Sequence, residues 1–124
     1  MADIQIEAGA SWSSETASDR GGPFWTTTLI GYVIYVDSNT DLVYNKTTDG
    51  GATWAGKNVL VTGTILKYDC WADWQTAGDA GTKIHIACID ADTDEVIYVY
   101  LDTSNDSEGK IGRASCRERV SDYV

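Results

Sequence analysis

Two short segments are apolar at nearly every position: Tyr32-Val33-Ile34-Tyr35-Val36 and Ile84-His85-Ile86-Ala87-Cys88-Ile89. A strand with apolar residues on both parities is covered on both faces. Each segment is followed by an Asp-rich turn, Asp37-Ser38-Asn39-Thr40-Asp41 and Asp90-Ala91-Asp92-Thr93-Asp94. Asn and Asp suit turns because their side chains bond to nearby backbone and tolerate unusual dihedrals. A second strand then resumes in each case, Leu42-Val43-Tyr44-Asn45-Lys46-Thr47 and Val96-Ile97-Tyr98-Val99-Tyr100-Leu101. Further strands are predicted over the β-branched and aromatic run Trp25 to Ile30, over Asn58 to Val61, and over Thr64 to Tyr68, with Ile4 and Ile6 as a short one. No segment keeps a helical period over three turns, so the fold class is all-β.

The strand–turn–strand order recurs with an offset of 53 to 54 residues. A period near 50 with several short strands per repeat matches a propeller blade, about 40–50 residues long. Two similar hairpins in a sandwich give the same pattern. Composition agrees with many tight turns, with 12 Gly, 5 Trp and 7 Tyr against one Pro.

One octapeptide bears on the choice. Thr47-Thr48-Asp49-Gly50-Gly51-Ala52-Thr53-Trp54 fits the pattern Ser/Thr-x-Asp-x-Gly-x-Thr-Trp at every fixed position. Physically it reads as a hairpin turn. Asp49 accepts turn N–H groups, Gly51 takes a positive φ, Thr53 bonds back across the turn, and Trp54 covers the hairpin end. The segment resembles the Asp-box of the sialidase-like (BNR-repeat) β-propellers. The likeness extends in organisation over residues 25–110 and strictly over the octapeptide alone. It implies one to two blades of an incomplete ring, with the box, Thr47, Asp49, Gly51, Thr53 and Trp54, structural rather than catalytic. The second repeat lacks a box: Asp102 to Gly109 has no Thr-Trp. Two repeats cannot close a ring, and uncovered sheet faces and edges predict a chain that is aggregation-prone or only partly folded.

The expected organisation has three parts: a polar segment at 1–24, blades at 25–110 and a tail at 111–124. Of four arginines, three fall in Ile111 to Val120 and only Arg20 precedes them. That decapeptide resembles one reading frame of a short-read sequencing adapter, so the tail is expected to be foreign to the fold.

Charge narrows the partners. A net charge of −10 opposes binding to nucleic acid and to anionic membranes. No basic-then-apolar leader stands at the N-terminus, which leads to an expectation of cytosolic synthesis, with a virion-associated assembly as one destination. Cys70, Cys88 and Cys116 have no metal-site spacing, and Cys88 is expected as a small buried hydrophobe. Asp90-x-Asp92-x-Asp94 opens like a calcium loop but lacks the Gly and the closing Glu that an EF-hand needs, so neither metal nor cofactor is implied.

The chemistry left to consider is binding. The family resemblance raises sialidase chemistry, which needs an arginine cluster, an acid/base carboxylate and a Tyr–Glu pair. Arg20 stands before the first strong strand, about where the family's first arginine lies, but without the family's Arg-Ile-Pro context. A truncated enzyme of that type is therefore the alternative, and no catalytic residue is assigned. The cluster Asp69-Cys70-Trp71-Ala72-Asp73-Trp74-Gln75 offers two indoles, with the Asp73 carboxylate between them and that of Asp69 just before. Trp71, Asp73 and Trp74, with Arg20, are the candidate ligand-binding residues, suited to stacking on a sugar and bonding its hydroxyls. Of the two indoles, Trp71 is expected in the core and Trp74 in solvent. His85, the single histidine, is expected to be packed rather than catalytic. The expected function is non-catalytic glycan binding, or a structural part of a larger assembly with other virion or assembly proteins as partners.

Overall fold

The computed structural model describes residues 4–6, 20–78 and 80–115. The described chain is all-β apart from one short 3-10 turn. It forms two four-stranded antiparallel sheets, each a simple meander in chain order. The first holds β1 (Phe24–Trp25), β2 (Gly31–Val36), β3 (Leu42–Thr47) and β4 (Asn58–Val61). The second holds β5 (Ile65–Ala72), β6 (Lys83–Asp90), β7 (Glu95–Asp102) and β8 (Ser107–Ser115), with the 3-10 turn Asp73–Gln75 after β5. Among the described residues no helix is long and apolar enough to cross a membrane.

The sheets pack face to face. Sheet one contributes Tyr32, Ile34 and Val36 from β2 and Leu42 and Tyr44 from β3. Sheet two contributes Tyr68, Cys70 and Ala72 from β5, Ile84, Ile86 and Cys88 from β6, and Ile97, Val99 and Leu101 from β7. Alternation in sheet two, broken only at Leu66–Lys67 where the β5–β6 register shifts, follows from the two-residue period of a strand, which sends the intervening side chains to the opposite face. Burial holds the Cys88 thiol up at about 11, so at neutral pH it packs as a protonated hydrophobe.

Polar bonds lock the layers in register. The Tyr32 hydroxyl donates to Asp106 Oδ1 at 2.5 Å, and Lys46 Nζ meets Asp106 Oδ2 at 2.7 Å. The Tyr68 hydroxyl donates to the Ile34 carbonyl at 3.1 Å. The β2–β3 turn and the linker into β5 are joined by Ile65 N–H to Thr40 O and Gly63 N–H to Asp41 Oδ1, at 2.9 and 3.0 Å.

Three hairpin turns are built alike. Asp37, Asp90 and Asp102 each accept, at 3.0 Å, the N–H two residues on, from Asn39, Asp92 and Ser104. Such Asx turns are what the Asp-rich segments predict. Asp37 is also buried against Lys57 at 2.9 Å. Burial alone opposes its charge, but Lys57 and the turn N–H groups outweigh it and hold the carboxyl below the usual range.

Several expectations need correction. Residues 26–30 are not a strand, because Thr27 Oγ1 accepts the N–H groups of Leu29 and Ile30 at 3.1 and 3.0 Å. That local hydroxyl competes with a ladder and wins, in spite of the β-branched composition. Ile4 and Ile6 lie outside any strand. β5 runs on through Ala72, and β8 was not anticipated. β8 also runs across residue 111, pairing with β7 as far as Ser115 opposite Glu95. Edge pairing uses backbone groups, so the strand continues regardless of the change in side-chain character. Residues 116–124 of the tail lie outside the described residues.

Candidate functional site

The octapeptide turn joins β3 to β4. Thr47 Oγ1 accepts the Gly51 N–H at 3.0 Å and lies within hydrogen-bond reach of Asp49 Oδ1 and the Thr53 carbonyl. Asp49 accepts the Thr53 N–H at 2.9 Å and the Thr53 hydroxyl at 2.5 Å. These donors, with Thr53 foremost, hold the Asp49 carboxyl down at about 2. Gly51 sits at φ +94°, and the Trp54 ring lies 3.9 Å from where its Cβ would be. Trp54 meets Trp25 with ring centroids 6.4 Å apart. Every described hydrogen bond of the Asp49 side chain stays within the turn.

The ligand-binding candidates divide into two groups. Arg20 and Trp71 come together. Gly21 lets the chain before β1 run against β2, since a Cβ there would stand 1.9 Å from the Ile34 carbonyl oxygen. Ile34 N–H bonds to Gly21 O at 2.7 Å and so fixes the position of Arg20. The guanidinium then reaches β5, where Nε and Nη2 donate to Asp69 Oδ1 and Oδ2 at 2.9 and 2.8 Å. This fork holds Asp69 below the usual carboxylate range. Between the 20–24 segment and β5 lies a cleft of about 340 Å³, lined by Arg20 to Phe24, Cys70, Trp71 and Gln75.

Trp71 and Trp74 exchange their expected places. Trp71 is 43% exposed, and Trp74 packs on the core with its Nε1 donating to the Trp25 carbonyl at 3.1 Å. The reason is parity. Trp71 lies between Cys70 and Ala72, which are both buried, so the strand turns its indole outward. Its Nε1 donates to Thr76 Oγ1 at 3.0 Å, which fixes the ring.

Asp73 leaves the cleft. Its Oδ1 accepts the Lys83 N–H at 3.2 Å, and its Oδ2 lies 3.1 Å from His85 Nε2. His85 Nδ1 is bonded in turn to the Tyr98 hydroxyl. The resulting carboxylate–imidazole–phenol chain lies on the outer face of sheet two. Burial raises the Tyr98 hydroxyl above its ordinary value, so it holds its proton and is no ready phenolate nucleophile. Asp69, Gln75 and Tyr98 were missed as site residues. The alternation of β5 was the available signal for Asp69, which shares Trp71's parity. In the Asp90 hairpin, Asp90 Oδ1 is taken by the N–H groups of Thr64 and Asp92. Among the described residues no three acidic, His or Cys side chains converge as a metal site would require.

No family model, curated protein or solved structure matches the chain.

Proposed function

We propose that this chain supplies two successive blades of an Asp-box β-propeller whose role is non-catalytic glycan binding. The blade reading draws support from the two four-stranded meanders and from the octapeptide turn between the third and fourth strands of the first. It draws more from a repeated face. Sheet one covers sheet two with Tyr32, Ile34 and Val36 on β2 and Leu42, Tyr44 and Lys46 on β3. Displaced by the repeat, these positions become His85, Ala87 and Ile89 on β6 and Val96, Tyr98 and Tyr100 on β7. The cross-strand partners correspond: Ile34 faces Tyr44 as Ala87 faces Tyr98, and Val36 faces Leu42 as Ile89 faces Val96. The second set lies on the outer face of sheet two, so each sheet presents the same surface to whatever follows it.

The binding role is carried by one observation: an exposed, hydrogen-bond-fixed Trp71 beside a cleft edged by Arg20 and Gln75. An indole held in place loses little freedom on stacking, and a few convergent polar groups orient a ligand. A glycan array probed with the chain and with Trp71→Ala tests this. Binding that disappears in the variant, with the circular dichroism unchanged, supports the role; equal binding by both proteins refutes it.

A structural role in a larger assembly draws on a separate observation. Ala87, Ile89 and Val96 line an open apolar groove on the outer face of sheet two. The matching surface of sheet one is covered by a sheet, and the same kind of partner fits here.

A further inference from the structure

We propose that the Trp71 cleft selects uncharged pyranosides over acidic sugars; this rests on the glycan-binding reading above. Arg20 is the cation that a sugar carboxylate would seek, but its fork is already filled. Nε and Nη2 grip the two oxygens of Asp69 at 2.9 and 2.8 Å, the arrangement by which a guanidinium holds an incoming carboxylate. An acidic sugar has to displace Asp69 and then lie against the carboxylate it has freed. The chain's net charge of −10 adds to that repulsion.

A neutral sugar meets no such conflict. A guanidinium has about five N–H donors, and the fork uses two of them. Asp69 keeps lone pairs beyond those given to Arg20 and to the Cys70 N–H at 3.0 Å. Donors and acceptors thus stand side by side at one rim. Neighbouring sugar hydroxyls, each able to give and to take a hydrogen bond, complement that rim. Both partners are open to solvent, with side-chain exposures of 61% and 51%. Trp71, fixed by Thr76, supplies the flat apolar surface for the C–H face of the ring, and Gln75 adds an amide. The ion pair acts here as a neutral hydrogen-bonding unit, and it removes the free cation on which recognition of acidic sugars depends.

The test is titration of the full chain with lactose, cellotriose and diacetylchitobiose, and with sialyllactose as the acidic counterpart of lactose. The Trp71 indole N–H signal in a ¹⁵N spectrum is the readout, and the Gly21 and Gln75 signals of the cleft lining serve for the variant that lacks the indole. The expected result is saturable binding of at least one neutral sugar, with sialyllactose weaker by about tenfold or more, near 1.4 kcal/mol. Asp69→Asn frees the guanidinium and is expected to narrow or reverse that preference, while Trp71→Ala abolishes binding of both classes. These side chains are exposed, and circular dichroism checks that each variant folds. A preference for sialyllactose in the unsubstituted chain overturns this inference and leaves the glycan reading intact. A neutral preference that Asp69→Asn leaves unchanged also overturns it. No binding of any sugar removes the glycan reading, and this inference with it.

Discussion

Ile86 and Ile89 lie on one strand with opposite parity, so together they test the packing of the two sheets. Ile86 is fully buried at 0% exposure, between Cys70 on β5 and Val99 on β7. Ile89 is 38% exposed on the outer face. Shortening isoleucine to alanine removes three carbons, worth about 2.4 kcal/mol of transfer free energy when burial is complete. At Ile86 the neighbours come from both sheets and cannot all close in, so a cavity term raises the cost to about 3–4 kcal/mol. At Ile89 roughly three-fifths of the transfer term applies and water fills the space, giving about 1.5 kcal/mol. For a chain of this size the two costs correspond to about 10–15 °C and about 5 °C in Tm. Thermal and urea unfolding, followed by circular dichroism at low micromolar concentration, read both. Equal losses, or a larger one for Ile89→Ala, would show that the outer face is the covered one and that the sheets are wrongly paired here.

Tyr32→Phe removes a hydroxyl bonded to a charged acceptor and is expected to cost about 2 kcal/mol in urea unfolding; a loss below about 0.5 kcal/mol refutes a locking role for that bond. Gly51→Ala has room for its methyl group, with Trp25 and Trp54 at 3.7 and 3.9 Å, so its cost comes from φ alone, about 1–2 kcal/mol in thermal unfolding. Asp49 is held at about 2, against an unfolded value near 4, so its contribution is complete above about pH 4 and is lost as pH falls towards 2. Trp54 fluorescence over that range should therefore change in the native chain and stay flatter in Asp49→Asn; coincident curves argue against the Asp49 bonds. Ile89→Lys puts a charge into the apolar groove and should lower self-association in sedimentation velocity, while an unchanged distribution clears that face.

The strands that the sequence makes most legible are those with the densest apolar pattern, β2, β3, β6 and β7, with β4 and the first half of β5 also foreseen. Their side chains carry both the hydrophobic and the β-branched signals, and each of the two hairpins turns on an aspartate that bonds its own backbone. The Thr47–Trp54 turn was legible for the same reason, since its hydrogen bonds close within seven residues. β8 was not. Its Gly, Lys and Ser content carries little pattern, and it is held by backbone pairing to β7. The Thr26–Ile30 stretch misled because propensity reports an average, while a single hydroxyl at Thr27 decided the local structure.

Sequence by itself determined the all-β fold class and the chemistry of the turns, because each is written in contacts between near neighbours along the chain. Tertiary structure alone decided the candidate site. Arg20 meets Asp69 across 49 residues, and Trp74 reaches the Trp25 carbonyl across the same separation. No local pattern encodes such pairs, since they depend on how one sheet lies against the next. The same packing sets which parity of β5 faces water. It sends Trp71 to the cleft, Trp74 to the core and Asp73 to His85, although the three lie within four residues of each other.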